Sequence, residues 1–455
     1  MYRVIVRSRR DANAVKAMLD RFYPNWSIEV VTLGGVRRAE DMIKVLDDYL
    51  NIDAYSFNIL LLGREDLDAA NILKEYYTDE YRIVIHVVDK ARVRNARIEH
   101  LASDFAKARA RIRLIASWNY DENSYIFKPN SQNILPKLSI EASNDLFFLI
   151  GSRTRENLHK LFRGEVPENP LVLKMSGGNH IIYSGPYIYG YMKIDDYGMK
   201  PDFKIEDFYE IVNVDLDDII RVNLNRLKIL ELMAINFIRK YINEDYHLVI
   251  PWSGGKDSTT ILKLATKFID RDRITPLYVD TGVEFPETKR YIERISEILK
   301  IDPVIEYAGI ADKILNEGYD LPTHDNRWCT GLKIEAVKRC VDRLIKDGWK
   351  VAVLLGDRDA ESDVRGFRPP YRKISDRYIE LTPIKAWSTF DVQLYLLREG
   401  IPLNELYNAG FYRIGCFICP SLRCWERFLM LNDEYIRSSL EKHTLFKKYI
   451  NRYMS

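Results

Sequence analysis

The sequence predicts an α/β protein whose C-terminal half is a doubly wound, mostly parallel sheet. A small N-terminal α/β domain and a β-rich middle module are expected before it. Three observations carry this prediction: β-branched runs alternate with helical patterns at both ends of the chain, the middle carries few helix signals, and a glycine-rich hexapeptide follows a strand in the second series. At 455 residues the chain exceeds one ordinary hydrophobic core, so two or three domains are expected.

The N-terminal α/β domain is expected over residues 1–130. Strand-like runs at 4–6, 28–33, 57–62 and 83–88 alternate with apolar residues at helical spacing. The last helical segment is basic, with eight Lys or Arg from Lys90 to Arg113. Two interpretations stay open for it: a contact with the phosphate backbone of an RNA, or a solvated helix face.

The middle module is expected over residues 131–215. Strand-like runs at 146–150, 171–174, 181–183 and 187–192 surround a Ser-Gly-Gly-Asn turn at 176–179. A long amphipathic helix is then predicted from Leu216 to beyond Phe237. It opens the third domain, 216–455, which holds the motifs that indicate chemistry.

The glycine-rich hexapeptide predicts an anion site. It lies between an apolar strand, 248–250, and a helix whose apolar face includes residues 261–269. Glycines let the backbone approach an anion, and the helix N-terminus offers free N–H groups and a partial positive charge. Lys256 adds a full charge and three hydroxyls add donors. The residues concerned are Ser253, Gly254, Gly255, Lys256, Asp257, Ser258 and Thr259.

The hexapeptide resembles the pyrophosphate loop of the adenine-nucleotide α-hydrolases. Further segments in the family's order are similar to its phosphoadenosine phosphosulfate (PAPS) reductase branch, and the resemblance spans about residues 216–425. These segments are Asp280-Thr281-Gly282, Trp328-Cys329-Thr330-Gly331-Leu332-Lys333, residues 356–362 with Arg365, Pro383-Ile384 with Trp387-Ser388, and Gly415-Cys416 with Cys419-Pro420.

The resemblance implies a bound adenine nucleotide that is cleaved at its α-phosphate. Lys256 would neutralise charge on the transferring phosphate, Asp257 would help to hold Mg²⁺, and Arg358 would clamp an anion, which makes these three the candidate catalytic residues. The candidate nucleotide-binding residues are those of the loop, Ser253 to Thr259, with Asp280, Gly282, Lys333 and Arg365. For Asp280, Arg358 and Arg365 the alternative is a helix cap or a surface ion pair.

The cysteines predict a metal site. None of the five precedes Cys329, and three of them cluster as Cys416, Cys419 and Cys424, which is typical of metal ligation rather than of a disulfide framework. With Cys329 as fourth ligand, the cluster suits a [4Fe–4S] centre, with zinc as the alternative. In the APS reductases resembled here, a second adjacent cysteine stands where this chain has Thr330. Cys424 would replace it; without Cys424, one iron would stay open, as in thiolating relatives.

Two departures from the sulfonucleotide reductases bear on the reaction. No cysteine follows Cys424, whereas the reductases carry their nucleophile in a Glu-Cys-Gly-Leu-His tail, and the phosphate loop is intact. We therefore expect ATP to be cleaved to AMP and pyrophosphate, adenylating an acceptor for sulfur transfer, with tRNA or another nucleic acid as a candidate. The alternatives are an APS or PAPS reductase that forms sulfite with a thiol reductant, and a non-catalytic iron–sulfur sensor that binds nucleotide.

The composition limits the classes of protein to which the chain can belong. Hydrophobic residues make up 47% and charged residues 29% of the chain, as in globular proteins. The net charge of +2 does not indicate a nucleic-acid binder by bulk electrostatics. Neither a membrane span nor a signal peptide is expected, because no apolar run is long enough and the first residues alternate like a strand. The expected location is cytoplasmic.

Overall fold

The computed structural model describes residues 2–136, 140–207 and 210–454. Its first sheet is parallel and has the order β2-β1-β3-β4. Helices α1 and α4 cover one face and α2 and α3 cover the other, each through an apolar stripe. The elements are β1 (Tyr2–Val6), α1 (Arg9–Phe22), β2 (Glu29–Thr32), α2 (Ala39–Ile52), β3 (Phe57–Leu62), α3 (Leu67–Tyr76), β4 (Ile83–Val87) and α4 (Ile98–Arg111).

The second sheet is antiparallel and five-stranded, with the order β11-β10-β9-β8-β7. A short hairpin, β5 (Ser117–Asn119) and β6 (Ser124–Ile126), precedes it. The β-rich character predicted from the sequence is confirmed, but α5 was not predicted, because the positions it buries include Thr154 and Asn157 and so weaken its apolar period. The elements are β7 (Asp145–Phe148), α5 (Ser152–Phe162), β8 (Leu171–Lys174), β9 (Asn179–Ser184), β10 (Tyr187–Lys193) and β11 (Asp202–Ile205).

The third sheet has the order β14-β13-β12-β15-β17-β16, and every strand pair is parallel except the edge pair of β16 and β17. Its strands and the helices between them are α6 (Leu216–Val222), α7 (Leu224–Tyr241), β12 (Tyr246–Pro251), α8 (Lys256–Ala265), β13 (Ile274–Asp280), α9 (Pro286–Leu299), β14 (Val304–Tyr307), α10 (Ile310–Leu315), α11 (Trp328–Lys346), β15 (Lys350–Leu354), α12 (Asp363–Phe367), β16 (Tyr371–Ser375), β17 (Tyr378–Leu381) and α13 (Thr389–Arg398). Four helices follow the sheet: α14 (Glu405–Asn408), α15 (Cys424–Asn432), α16 (Glu434–Leu440) and α17 (Thr444–Met454).

This sheet is doubly wound, as the sequence predicted. Cys340 and Val341 of α11 pack against Val249, Leu277 and Val353 on one face, while α8 and α13 pack on the other. Because β13 and β15 flank β12 on opposite sides, the chain reverses its direction of travel across the sheet there. In such folds, ligands bind at the carboxyl ends of the strands beside this reversal.

The prediction of one long helix from Leu216 is wrong in one respect, because the structure has two helices there, divided at Asn223. Its side chain is fully buried and binds the hairpin, and its backbone, at φ −103° and ψ 13°, departs from helical geometry. Its amide accepts from the N–H of Phe127 at 3.0 Å and donates to the carbonyl of Tyr125 at 2.8 Å. The two shorter helices α6 and α7 are the result.

The three sheets share one hydrophobic cluster. Val6, Leu171 and Leu248, one from each sheet, belong to it. The domain boundaries expected from the sequence stay predictions, since this core is continuous. Among the residues described, no helix is both long and apolar enough to cross a membrane.

Candidate functional site

The glycine-rich loop joins β12 to α8, where the sequence placed it. Gly254 has φ +70°, and a Cβ there would lie 2.8 Å from Cγ2 of Thr288, so this position requires glycine. The carbonyl of Gly255 accepts from the hydroxyls of Ser258 at 3.1 Å and Thr259 at 2.9 Å. These hydroxyls therefore hold the loop in shape, and the Thr259 hydroxyl is engaged within the loop.

Two cations and one carboxylate form the charged centre of the loop. The ammonium of Lys256 lies 2.9 Å from Asp257 and also donates to the carbonyl of Tyr412. Nε of Arg358 lies 2.6 Å from the other oxygen of Asp257. Burial alone would raise the pKa of Asp257, but the charges of Arg358 and Lys256 outweigh it and lower this pKa to about 2. The carboxylate is thus ionised at neutral pH and holds both cations in place.

Arg358 also connects this centre to the antiparallel sheet. Its Nη1 lies 2.9 Å from Asp145 at the start of β7, and its Nη2 donates to the hydroxyl of Thr389 at 2.8 Å. The guanidinium is 3% exposed. Arg358 therefore lies between two carboxylates, Asp257 on the loop side and Asp145 on the side of the antiparallel sheet.

A cavity of about 510 Å³ opens in front of these residues. Ser253, Gly255 and Ser258 of the loop line it. The carboxylates on its wall are Asp145, Asp257, Asp357 and Glu361. The cations on its wall are Lys174, Lys256, Arg327, Arg358, Arg365, Arg413 and Arg423. The excess of positive charge favours a polyanionic ligand.

A second cavity, of about 180 Å³, adjoins the other side of the loop. The two cavities share Pro251 and Ser253. Its apolar wall comprises Trp252, Leu277, Tyr278, Val279 and Val337. Its polar wall comprises Glu284, Thr288, Lys333 and Cys416. Apolar walls with a few fixed polar groups are typical of small-molecule sites.

Lys333 contacts Cys416 at the wall of this second cavity. Its ammonium donates to Sγ of Cys416 at 3.1 Å, and the hydroxyl of Thr281 lies 3.5 Å from the same sulfur. Burial raises the pKa of the Cys416 thiol, and the charge of Lys333 opposes this shift. The thiols of Cys329 and Cys419 are close enough to influence each other electrostatically.

Cys424 binds a different part of the molecule. Its Sγ accepts from the N–H of Asp195 at 3.2 Å, just after β10, and burial raises its pKa to about 11. Within the described ranges, no three Cys, His, Asp or Glu side chains are placed to hold a metal ion. The thiols are therefore not arranged as a cluster site in this structure, and ligation by Cys329, Cys416, Cys419 and Cys424 stays a prediction.

The remaining predicted site residues have local partners. Asp280 accepts from the N–H of Gly282 at 2.8 Å and pairs with Lys289 at 3.0 Å. Gly282 has φ +76°, and a Cβ there would lie 2.7 Å from Cβ of Ala311. Arg365 lines the large cavity but is paired with Glu361. Nucleotide contacts of these three residues stay predictions.

Sequence reasoning missed several residues of the large cavity. Asp145 and Lys174 are the clearest cases, because they lie on β7 and β8 and face each other in the strand register. No local motif marks either residue. Tyr407 was missed as well; its hydroxyl accepts from the N–H of Lys256 at 3.0 Å.

Comparison with known proteins identifies the domain that carries this loop. Residues 247–422 match the phosphoadenosine phosphosulfate reductase domain. By this match, residues 247–422 are similar to the PAPS reductase family. The family domain thus contains the loop, Arg358 and both cysteines of the Cys416–Cys419 pair, whereas Lys174 and Asp145 lie outside it.

Several relatives match the chain in part. An uncharacterized protein of Methanocaldococcus jannaschii, MJ0066, is 31% identical over 55% of this chain and 54% of its own length, and MJ0973 of the same organism is 30% identical over 57% and 59%. The chain thus spans little more than half the length of these relatives. A phosphoadenosine 5'-phosphosulfate reductase of Xanthomonas campestris is 29% identical over 38% of this chain and 70% of its own length.

Solved structures with partial similarity include two further enzymes. A PAPS reductase from Candida auris, in a phosphate complex, has a TM-score of 0.33 and 18% identity, covering 45% of this chain and 97% of its own. The U34-tRNA thiolase NcsA from Methanococcus maripaludis, with its [4Fe-4S] cluster, has a TM-score of 0.29 and 14% identity, covering 50% of this chain and 80% of its own.

Proposed function

We propose that the protein is an enzyme that binds ATP and transfers its AMP portion to an acceptor, releasing pyrophosphate. The observation that carries this proposal is the centre formed by Lys256, Asp257 and Arg358 at the carboxyl end of β12. Two cations held by one ionised carboxylate suit a group that gains negative charge as its bond to the leaving pyrophosphate breaks.

In this proposal, each of the two cavities takes one part of the nucleotide. The adenosine portion would enter the 180 Å³ cavity, and the phosphates would cross the loop into the 510 Å³ cavity. The α-phosphate would then lie at the shared wall, beside Ser253. Lys256 and Arg358 would stabilise charge there by position and electrostatics, without a covalent intermediate on the protein. ATP would bring Mg²⁺ with it. Both oxygens of Asp257 already bind cations, so the phosphates rather than this carboxylate would hold the metal, and the predicted contact of Asp257 with Mg²⁺ stays a prediction.

The proposed acceptor is one that is activated for sulfur transfer, with tRNA as the first candidate to test. The basic segment of the N-terminal domain gives this acceptor little support, because Arg109 and Arg113 are buried and serve the core. An RNA would instead have to approach the exposed Arg327 and Arg413 at the wall of the large cavity.

A second candidate function is favoured by the position of Cys416. This thiol lines the cavity proposed for adenosine, beside Lys333 and near the loop. In a sulfonucleotide reductase, a thiolate attacks the sulfur atom, a cysteine S-sulfonate forms and the nucleotide leaves. A second thiol, or a thiol reductant, then releases sulfite and leaves a disulfide.

An anaerobic product assay separates the two candidates. ATP, APS and PAPS are offered separately with a dithiol reductant, and ATP also with tRNA. Pyrophosphate and AMP from ATP support the first candidate, whereas sulfite from APS or PAPS supports the second. Binding of nucleotide without any product would favour the non-catalytic sensor.

Lys256→Ala tests the role of the loop. Turnover of ATP should fall by at least about 100-fold, as for the loss of one preorganised charge at a transition state. Lys338→Ala, which removes an exposed lysine of α11, is the matched control and should leave turnover unchanged. Normal turnover in Lys256→Ala would refute the assignment of the loop.

A [4Fe–4S] cluster is tested independently of turnover. Anaerobic reconstitution should be followed by iron and sulfide analysis of the wild type, of Cys419→Ala and of Cys340→Ala, the last removing a buried thiol of the core. Four iron atoms per chain in the wild type and in Cys340→Ala, with loss in Cys419→Ala, would support the cluster. Iron absent from all three would refute it.

A further inference from the structure

Lys174 brings a positive charge into the large cavity from outside the family domain. It is the last residue of β8, and its strand partner in the register is Asp145 of β7. Both side chains line the cavity. The antiparallel sheet is therefore part of the wall that faces the phosphate loop.

The ammonium of Lys174 has few partners of its own. It donates to the carbonyl of Ala360 at 3.3 Å, and in the described part of the chain no carboxylate oxygen lies within the 4.0 Å of an ion pair. Asp145, its neighbour, is already bound by Arg358 at 2.9 Å and by the hydroxyl of Thr389 at 2.7 Å. An ammonium has three donors, so Lys174 has capacity for an anion from the cavity.

The surroundings of Lys174 make an anion favourable. Burial lowers the pKa of Lys174 to about 8, and the charge of Asp145 only partly offsets this effect. A lysine that is costly to keep charged gains more from an incoming oxyanion than an exposed lysine does.

The position of Lys174 indicates which part of the ligand it meets. Arg358 lies between Asp257, which binds Lys256, and Asp145, the strand partner of Lys174. Lys256 thus adjoins the carboxylate on Nε of Arg358, and Lys174 is the strand partner of the carboxylate on its Nη1. A ligand that binds both lysines would carry anionic groups at two separate points.

We propose that Lys174 binds a second, distal oxyanion of the nucleotide and so selects ligands with more than one anionic group. This inference rests on the proposed function, because it deepens the same site. The oxyanion is a phosphate, either the terminal phosphates of ATP or the 3'-phosphate of PAPS. AMP, with one phosphate near the loop, should not reach Lys174.

Calorimetric binding to Lys174→Met tests the proposal, with ATP, PAPS, AMP and inorganic pyrophosphate as separate ligands. Affinity for pyrophosphate and for ATP or PAPS should fall about 10- to 100-fold, the value of one charge-assisted hydrogen bond. The ligand that loses affinity identifies the source of the oxyanion. Affinity for AMP should change less than about twofold, and Lys174→Arg should retain most of the binding.

Lys204→Met is the matched control, since it removes an exposed lysine of the same sheet. The thermal midpoint of Lys174→Met should not fall, because the variant removes a buried charge that lacks an ion pair. Equal affinities of Lys174→Met and wild type for all four ligands would overturn the proposal, and so would an equal loss for AMP.

The outcomes also separate this inference from the proposed function. Binding of ATP, PAPS and pyrophosphate by the wild type and by Lys174→Met alike would refute only the role of Lys174. Binding of pyrophosphate that depends on Lys174, without binding of any adenine nucleotide, would refute the proposed function and leave the oxyanion site standing. No binding of any ligand by the wild type would refute both.

Discussion

Arg358 holds more of the site together than any other single side chain described above. It satisfies two buried or half-buried carboxylates, Asp145 and Asp257, and it faces the cavity. Arg358→Ala should lower the free energy of unfolding by about 3–5 kcal/mol, because it leaves buried charge without a partner. Urea denaturation measures the change. The double variant Arg358→Met with Asp145→Asn should recover part of the loss, and no recovery would contradict this explanation.

His180 gives the antiparallel sheet a pH dependence. Burial lowers its pKa to about 3, and its Nε2 has no hydrogen-bond partner among the residues that the structure describes. As the pH falls, His180 takes up a proton near pH 6.5 in the unfolded chain, but only near pH 3 in the folded one. The free energy of unfolding is therefore highest above pH 6.5 and decreases as the pH falls toward 3. Between pH 7 and 5 the loss should be about 2 kcal/mol.

Thermal or urea unfolding at pH 7, 6 and 5 measures this loss. His180→Gln should remove most of the dependence, whereas His100→Gln, at an exposed position of α4, should keep it. An unchanged pH dependence in His180→Gln would assign the effect to other groups.

Single residues were predictable from the sequence where a local pattern marked them. Lys256 and Asp257 stand in the hexapeptide, and Arg358 stands in a recognisable segment. Asp145 is 213 positions away from Arg358, and Lys174 enters the cavity through a strand pairing. Such residues can be recognised as part of the site only from the packing of the sheets, because no local sequence pattern relates them to the loop.

Among the elements, the junction of α6 and α7 is a break that the apolar periodicity does not predict. The apolar spacing continues through Asn223, so the pattern alone predicts one helix. The structure breaks it because a buried amide there satisfies two backbone groups of the hairpin. The strands and the loop–helix junction at β12 and α8 were predictable, since burial on both faces of a parallel sheet imposes continuous apolar runs.

Asn223→Ala tests this junction. It leaves the N–H of Phe127 and the carbonyl of Tyr125 buried without partners, which should cost about 2–5 kcal/mol in the free energy of unfolding. Asn236→Ala, at an amide of α7 that donates to the carbonyl of Leu232 in its own helix, should cost less than about 1 kcal/mol. Equal effects of the two variants on urea denaturation would show that the junction has no special role.

In the whole molecule, Arg109 of α4 is paired with Asp359, the neighbour of Arg358. This contact is buried, and it joins residues 250 positions apart. Neither interpretation of the basic segment included this role, in which some of its charges serve the packing of one sheet on another. A contact of its exposed charges with RNA stays a prediction. The overall class of fold was predictable, but the continuity of the core was not, because periodicity does not report which surfaces meet.

Arg109→Met should therefore act at a distance. We expect a loss of about 3 kcal/mol in the free energy of unfolding and weaker binding of ATP, since Asp359 adjoins Arg358 in the chain. Arg97→Met, at an exposed position just before α4, should change stability by less than about 0.5 kcal/mol. If Arg109→Met is less stable but binds ATP as the wild type does, Arg109 contributes to packing and not to nucleotide binding.

The strand pair of Asp145 and Lys174 has a consequence for how such proteins diversify. The proposed reacting centre lies in the segment that matches the family, while Asp145 and Lys174 on the wall of the same cavity lie outside that match. If Lys174 binds the nucleotide as proposed, changes in the antiparallel sheet would alter which nucleotide is admitted while the loop stays constant. A graft of the β7–β8 pair from a related chain would transfer ligand preference without any exchange of the reacting groups, so that choice of substrate and chemistry can evolve on separate segments.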